Sequence, residues 1–153
     1  MLDVEIVAVS PTSREAAQLM TELDAEIQRR YPGVTAHGLH QRDLDDPRTV
    51  FLVARVAGES CACGALRALE PGTAEVKRMY VRDQFRRLGL GRRMIAALES
   101  TARGSGITRL RLETGVAQPE AIALYESVGF AAVEPYGEYI GNDFSRCFEK
   151  TIA

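Results

Sequence analysis

The chain has 153 residues, the size of one ordinary domain with one sizeable core. Apolar residues make up 46 % and charged residues 26 %, and a net charge of −2 argues against nucleic acid as the main partner, because nucleic-acid-binding domains are usually basic. No stretch approaches the ~20 apolar residues that cross a bilayer, the N-terminus does not resemble a signal peptide, and three cysteines cannot all pair. We therefore expect a single domain over residues 1–153, without membrane contact, in the cytoplasm.

The N-terminal third predicts one strand and one helix. Residues 2–9 alternate apolar and charged side chains, as a half-buried strand does. Ser10 or Ser13 can cap the helix that follows, whose apolar positions recur at helical spacing for about 17 residues and stop at Tyr31. Residues 32–48 have no clear period and predict a long loop with a short helical turn.

The middle of the chain predicts an antiparallel meander. Residues 50–56, 61–69 and 74–81 are strand-like runs, and only short turn sequences separate them. A helix then begins near Leu90 and ends before Gly106, because its apolar side chains fall on one stripe and glycines follow it.

The C-terminal part predicts a strand over 108–114, a helix that starts at Pro119, and a last strand over 145–152. A helix between the strands 74–81 and 108–114 forms a crossover that can join parallel strands. We expect an α/β class: one mixed, mostly antiparallel sheet of about six or seven strands with helices on both faces.

The segment FRRLGLGRRM, residues 85–94, lies in the one strongly basic region of the chain. Residues 77–93 contain seven basic side chains and one acidic one. The segment enters a helix, whose N-terminus presents unpaired N–H groups and positive partial charge. Gly89 and Gly91 allow a ligand to approach the backbone, and neighbouring arginines are suited to phosphate. The segment therefore predicts a phosphate or pyrophosphate cradle.

Other interpretations of this segment remain open at this point. A P-loop needs a lysine after its second glycine, and none is present. A dinucleotide fingerprint needs a third glycine where Met94 stands. A surface turn with solvated arginines is also compatible with the segment alone.

Two segments resemble a known family. Residues 86–91 have the pattern R-x-x-G-x-G after the strand 74–81, and residues 118–130, QPEAIALYESVGF, form a helix that carries a tyrosine and ends in Gly-Phe. Together they are similar to the acetyl-CoA loop and the second signature of the GNAT superfamily of N-acetyltransferases. The resemblance implies one sheet that is splayed between two central parallel strands, 74–81 and 108–114.

The resemblance also implies which residues hold acetyl-CoA. The pantetheine arm would pair with the backbone of Met79, Tyr80 and Val81. Gln118 stands where the family often has asparagine and would bond the same arm, and Tyr125 would lie beside the thioester sulfur. The pyrophosphate would be held by the loop residues Arg86, Arg87, Leu88, Gly89, Leu90, Gly91 and Arg92.

Amide formation from an amine and a thioester needs a base and an acid. Tyr125 is the candidate acid that protonates the leaving thiolate, with an anchored core aromatic as the alternative. Glu75 is the candidate base, acting directly or through a water, with an exposed strand carboxylate as the alternative. Glu113 and Thr114 end the second splayed strand and are expected to help shape the site.

The acceptor side is the least defined by sequence. The resemblance places Tyr31, His37, Tyr136 and Tyr139 there; the acidic residues Glu22, Asp24 and Glu26 lie nearby in sequence. Their charge favours a cationic acceptor such as a polyamine, an aminoglycoside-like molecule or a lysine side chain. His37 and His40 have no convincing third ligand, so no metal is expected.

We therefore predict an N-acetyltransferase that moves the acetyl group from acetyl-CoA to a primary amine of a small molecule or protein, by direct attack in a ternary complex. Two alternatives remain: a non-catalytic CoA-binding sensor or regulatory domain, and a nucleotide- or NAD-binding module. A homodimer is compatible with the last strand, but the composition does not require one.

Overall fold

The computed structural model describes residues 2–34 and 37–152. Thr35 and Ala36, which belong to the predicted long loop, lie outside the described residues, as do the two terminal ones. The helices are α1 Arg14–Arg30, α2 Gln41–Asp45, α3 Leu90–Gly104 and α4 Pro119–Ser127. The strands are β1 Val4–Val9, β2 Val50–Val56, β3 Glu59–Glu70, β4 Thr73–Val81, β5 Arg109–Gly115, β6 Ala131–Val133 and β7 Ser145–Thr151.

The predicted elements are present with bounds shifted by one or two residues. Ser13 is the cap of α1, and its hydroxyl oxygen accepts a hydrogen bond from the Ala16 amide at 3.2 Å. The predicted turn within the long loop is α2. The short strand β6 was not predicted, because three residues are too few to show a period.

The strands form one seven-stranded sheet in the order β1-β2-β3-β4-β5-β7-β6. Among the described residues β4 and β5 are the one parallel pair, and α3 is the crossover between them. All other neighbours are antiparallel. The mixed, mostly antiparallel α/β sheet predicted from the sequence is confirmed.

The two central strands separate after a short paired segment. β4 and β5 are in register only from the pair of Thr73 and Arg109 to the pair of Val76 and Leu112. β4 continues to Val81 and remains paired with β3 on its other side. Beyond Val76, therefore, the β5-facing edge of β4 lacks a strand partner in the described structure.

A bulge in β4 lies at the start of this open segment. Cys63 pairs with Tyr80 while Ala65 pairs with Lys77, so two residues of β4 face the single Gly64 of β3. One of the two, Arg78, has a φ of +56°. Such a bulge increases the local twist and re-aims the side chains that follow it.

The helices cover both faces of the sheet. α1 packs Leu19 on Phe51 and Val53, while α3 packs Met94 and Leu98 on the opposite face. α3 lies close to β3 because Gly64 has no side chain: an added Cβ there would lie 2.8 Å from the Met79 sulfur and 2.9 Å from Leu98 Cδ1.

We predict that Gly64→Ala destabilises the fold by about 1–3 kcal/mol, because the methyl group overpacks the contact between β3 and α3. Gly104→Ala is the matched control, since an added Cβ there meets no atom within 4 Å and Gly104 is helical. The control should be neutral or slightly stabilising. Urea unfolding of both variants measures the difference, and equal midpoints would contradict the prediction.

Candidate active site

Two connected cavities open where β4 and β5 separate. The larger one, the outer groove, has a volume of about 840 Å³ and lies between the end of β4, the loop after it and the N-terminal ends of α3 and α4. The smaller one, the inner cavity, has about 140 Å³ and reaches α1 and the loop before β7. They share the wall residues Met79, Gln118, Ala121 and Tyr125.

The residues predicted to hold acetyl-CoA line the outer groove, with the exception of Leu88, whose half-exposed side chain is not among the lining residues. The residues brought together are Met79, Tyr80, Val81, Arg86, Arg87, Gly89, Leu90, Gly91, Arg92, Gln118 and Tyr125. Gln118 caps the start of α4, where its side-chain oxygen accepts from the Gly115 amide at 3.3 Å.

The N-terminal end of α3 points its backbone into this groove. Gly89 precedes the helix with a φ of +78°, a left-handed conformation that glycine adopts without strain. The first amides of a helix have no partner within it, so those of Leu90, Gly91 and Arg92 are available to an anion. A Cβ added at Gly91 would lie 3.0 Å from Leu124, so a side chain there would fill the groove.

The arginines of the loop differ in what they bind. Arg86 is already engaged: it contacts Glu26 at 2.6 Å and Asp83 at 2.8 Å, and its Nε donates to the Val81 carbonyl oxygen at 2.8 Å. Arg92 donates to the Ser127 hydroxyl at 2.9 Å. Arg87 has neither a hydrogen bond nor an ion pair within the described ranges. Arg87 is therefore the loop arginine most available to a bound anion.

The inner cavity collects most of the residues predicted for the acceptor side. Tyr31, His37 and Tyr139 line it, whereas Tyr136 packs behind Tyr139 with ring centroids 5.3 Å apart. Sequence reasoning missed Lys77, which also lines it and donates to the Tyr139 hydroxyl at 2.9 Å.

Glu113 and Tyr125 face the same cavity. Glu113 extends from β5 one residue beyond the last β4–β5 pair, and the Ser145 hydroxyl donates to its carboxylate at 2.6 Å. Burial raises the pKa of Glu113. Tyr125 is 6 % exposed, packs edge-on against Phe130, and its pKa is raised by burial and then by the charge of Glu113. The phenol thus lies at the junction of the two cavities, and the carboxylate lies on the wall of the inner one.

Glu75, the sequence-based candidate base, lies elsewhere. It has no exposed surface and does not line either cavity. One carboxylate oxygen accepts from Arg67 at 2.8 Å, and the other accepts from the Tyr136 hydroxyl at 2.7 Å. Lys77 stands 3.8 Å away. The alternative of an exposed strand carboxylate is therefore wrong, because Glu75 is buried with both oxygens bonded.

Glu75 belongs to a buried polar network that ties two loops to the sheet. Arg67 also contacts Asp43 of α2 at 2.8 Å. Glu138, in the turn after β6, lies 3.7 Å from Lys77 and 3.4 Å from both His37 and His40. The loop before β2 and the turn after β6 both flank the inner cavity, so this network shapes the cavity wall.

The acidic residues of α1 do not line the inner cavity as free charges. Three of them, Glu22, Asp24 and Glu26, each contact an arginine of β4 or the following loop: Glu22–Arg82 at 2.8 Å, Asp24–Arg78 at 2.6 Å and Glu26–Arg86 at 2.6 Å. The hydrogen bond from Arg82 lowers the pKa of Glu22. Their expected attraction for a polycationic acceptor is therefore largely cancelled.

Comparison with known proteins identifies the family. The model of the Acetyltransferase (GNAT) family matches residues 16–130. The chain belongs to this family. It is 40 % identical over 153 residues to an IAA acetyltransferase from Azospirillum brasilense, covering 99 % of this chain and 100 % of the relative. GNAT enzymes move an acetyl group from acetyl-CoA to an amine, so the chain is an acetyl-CoA-dependent N-acetyltransferase.

Two solved structures agree with the fold. A Klebsiella pneumoniae protein assigned as an acyl-CoA N-acyltransferase is 33 % identical, with a TM-score of 0.83 and 98 % of both chains covered. The PaiA N-acetyltransferase of Thermoplasma acidophilum, solved in complex with coenzyme A, is 16 % identical with a TM-score of 0.73 and 98 % and 99 % of the two chains covered. At that identity the second protein supports the fold alone.

The described residues contain neither a membrane-spanning helix nor a cluster of metal ligands. Within residues 2–34 and 37–152, no helix has the length and apolar character to span a membrane. In the same ranges no three His, Cys, Asp or Glu side chains converge as a metal-ligand set.

We predict that Glu75→Ala lowers the free energy of unfolding by about 3–5 kcal/mol, because Arg67 and Lys77 lose a buried counter-charge. Glu138→Ala should cost about 1 kcal/mol or less, because its ion contacts are longer and the side chain is partly exposed. Urea denaturation of the two variants tests this. A cost at Glu75 as small as that at Glu138 would mean that the network contributes little.

Proposed function

We propose that the outer groove holds acetyl-CoA and that the inner cavity holds a primary amine, which attacks directly while both are bound. The observation that carries this assignment is the junction of the two cavities at Tyr125, with Glu113 on the wall of the inner one. The three cysteines are buried free thiols, and burial raises the pKa of Cys63 to about 12, so an acyl-cysteine route has no reactive thiolate.

The residues of the outer groove fit acetyl-CoA. The open edge of β4 at Met79, Tyr80 and Val81 offers backbone groups to an extended arm, as a neighbouring strand would. The amides at the start of α3, with Arg87 and Arg92 beside them, suit a pyrophosphate. The absence of a side chain at Gly91 keeps the groove open.

Glu113 acts as the base in this proposal. It accepts a proton from the ammonium of the acceptor, which leaves a neutral amine. Burial raises the pKa of Glu113, and a carboxylate with a raised pKa is a better proton acceptor at neutral pH. Glu75 remains the alternative base, acting through a chain of waters, but its bonds to Arg67 and Tyr136 argue against it.

Tyr125 acts as the acid. When bound, acetyl-CoA supplies the thioester carbonyl carbon that the neutral amine attacks, and the C–S bond breaks. The Tyr125 hydroxyl donates its proton to the departing sulfur, and its phenolate oxygen then takes the second proton from the attacking nitrogen. Glu113 returns the first proton to water. The raised pKa keeps Tyr125 protonated until the thiolate forms.

The remaining expectations belong to the same proposal: one domain over residues 1–153, a cytoplasmic setting suited to three reduced cysteines, and no metal. A homodimer stays a prediction. A CoA-binding sensor is the alternative function, and binding without acetylation of any amine would support it. The Azospirillum relative is named for IAA, so IAA belongs in the first panel of acceptors.

We predict that acetyl-CoA at 100 times its Kd stabilises the wild type by about 2.7 kcal/mol, which raises Tm by about 5–10 °C for a chain of this length. Gly91→Glu should abolish this rise, because the side chain fills the groove and its charge opposes the pyrophosphate. Gly104→Glu carries the same charge at the far end of α3 and should keep the rise. Thermal unfolding with acetyl-CoA, CoA, ATP or NAD measures it, and a shift with ATP or NAD alone would contradict the assignment.

We predict that Glu113→Gln lowers kcat/KM about 10²–10⁴-fold at pH 7, with the loss shrinking as pH approaches the amine's own pKa near 10. Tyr125→Phe should lower it at every pH, because the leaving sulfur lacks its acid throughout. Glu75→Gln should keep the shape of the wild-type profile. If Glu75→Gln instead loses the neutral-pH limb and Glu113→Gln keeps it, Glu75 is the base.

A stability control separates chemistry from folding. A carboxyl group whose pKa is raised in the folded state stabilises the fold most at low pH, and this contribution is lost as pH rises through the folded-state pKa. Glu113→Gln should therefore be at least as stable as the wild type at pH 7. A lower Tm for this variant at pH 7 would make its loss of activity a folding defect.

A further inference from the structure

Glu113 is the one charged side chain of the inner cavity wall that lacks an ion-pair partner among the described residues. Lys77 has Glu75 and Glu138 within 3.8 Å, Arg78 has Asp24 at 2.6 Å, and His37 has Glu138 at 3.4 Å. Glu113 has only the neutral Ser145 hydroxyl. The wall therefore offers one uncompensated negative charge, and one bound ammonium balances it.

A second positive charge on the acceptor would have no uncompensated carboxylate to bind on the described wall. Lys77 and Arg78 are both 4 % exposed at their side chains and both line the cavity. A second ammonium would find no unpaired carboxylate on the described wall, because Glu113 already holds the first. A carboxylate on the acceptor would find no unpaired cation either, since Lys77 lies near Glu75 and Glu138 and Arg78 lies near Asp24.

The mouth of the inner cavity is aromatic. Phe144 is 52 % exposed, lines the cavity, and lies edge-on to Tyr31 with ring centroids 6.1 Å apart. Val34 lines the same side. Exposed apolar side chains that gather at a cavity mouth mark a contact surface, and aromatic rings pack favourably edge-on against other rings.

From these observations we propose that the acceptor is a small primary amine with a single positive charge and an aromatic body. Its ammonium sits at Glu113, and its ring rests against Tyr31 and Phe144 at the mouth of the inner cavity. This inference rests on the proposed function, since it names the substrate class of the same site.

A matched panel of four amines tests the proposal by thiol release from acetyl-CoA. 2-Phenylethylamine carries one charge and a ring; phenylalanine adds a carboxylate to that skeleton; propylamine lacks the ring; spermidine adds charges. We expect kcat/KM for 2-phenylethylamine to exceed each of the other three by about tenfold or more.

Two variants test whether the preference for an aromatic amine depends on Phe144. In Phe144→Ser, the ratio of kcat/KM between 2-phenylethylamine and propylamine should fall about tenfold, because the ring loses its partner. Ile140→Ser is the control: Ile140 is 70 % exposed and does not line the cavity, so the ratio should stay as in the wild type.

The outcomes are distinguishable. A preference for spermidine or phenylalanine, or an unchanged ratio in Phe144→Ser, overturns the acceptor class while leaving the acetyltransferase proposal intact. Thiol release from none of the four amines overturns the acceptor class, and the proposed function is overturned as well only if acetyl-CoA also fails to raise the Tm of the wild type.

Discussion

The site depends on the early separation of β4 and β5. A parallel pair normally continues along the shared length of its strands, but here the ladder stops at the pair of Val76 and Leu112. Past that point the bulge at Arg78 increases the twist of β4, and its open edge faces α4. One gap in the hydrogen-bond ladder thereby creates the outer groove, exposes the wall that carries Glu113, and brings Tyr125 between the two strands.

Where β4 and β5 separate, charged side chains such as Glu75 and Lys77 lie buried in the fold. The neighbouring network supplies them with ion-pair and hydrogen-bond partners. Glu75 joins Arg67 of β3 to Tyr136 of the late loop, while Glu138 joins Lys77 to the histidines of the early loop. Charge and hydrogen bonding are thus shared across three parts of the chain. The network thus joins the loop before β2 and the turn after β6 to β4, beside the opening between β4 and β5.

The sequence predicted the order and type of most elements because their apolar patterns extend over many residues. The two signature segments, 86–91 and 118–130, located the outer groove. It could not predict where the β4–β5 ladder stops. Glu75 and Glu113 are both carboxylates on the separating strands, and only the ladder end at Val76 distinguishes them. Glu75 lies before it and is buried in the network, whereas Glu113 lies after it and faces the cavity. A second bulge, between Ala54 and Arg55, likewise divides Cys61 and Cys63 between the two core clusters despite their period-two spacing.

The basic segment 77–93 both holds α1 against β4 and lines the outer groove, and composition alone does not show which arginine does which. Arg78, Arg82 and Arg86 bind the acidic residues of α1, so they hold that helix against β4. These ion pairs neutralise the acidic side chains that would otherwise attract a polycation. The groups of the loop that stay available to an anion in the outer groove are Arg87 and the first amides of α3. A local excess of positive charge therefore does not measure the strength of an anion site, because four of the seven basic side chains here, Lys77, Arg78, Arg82 and Arg86, form ion pairs within the fold. On the wall of the inner cavity, among the described residues, Glu113 is the one charged side chain without an ion-pair partner.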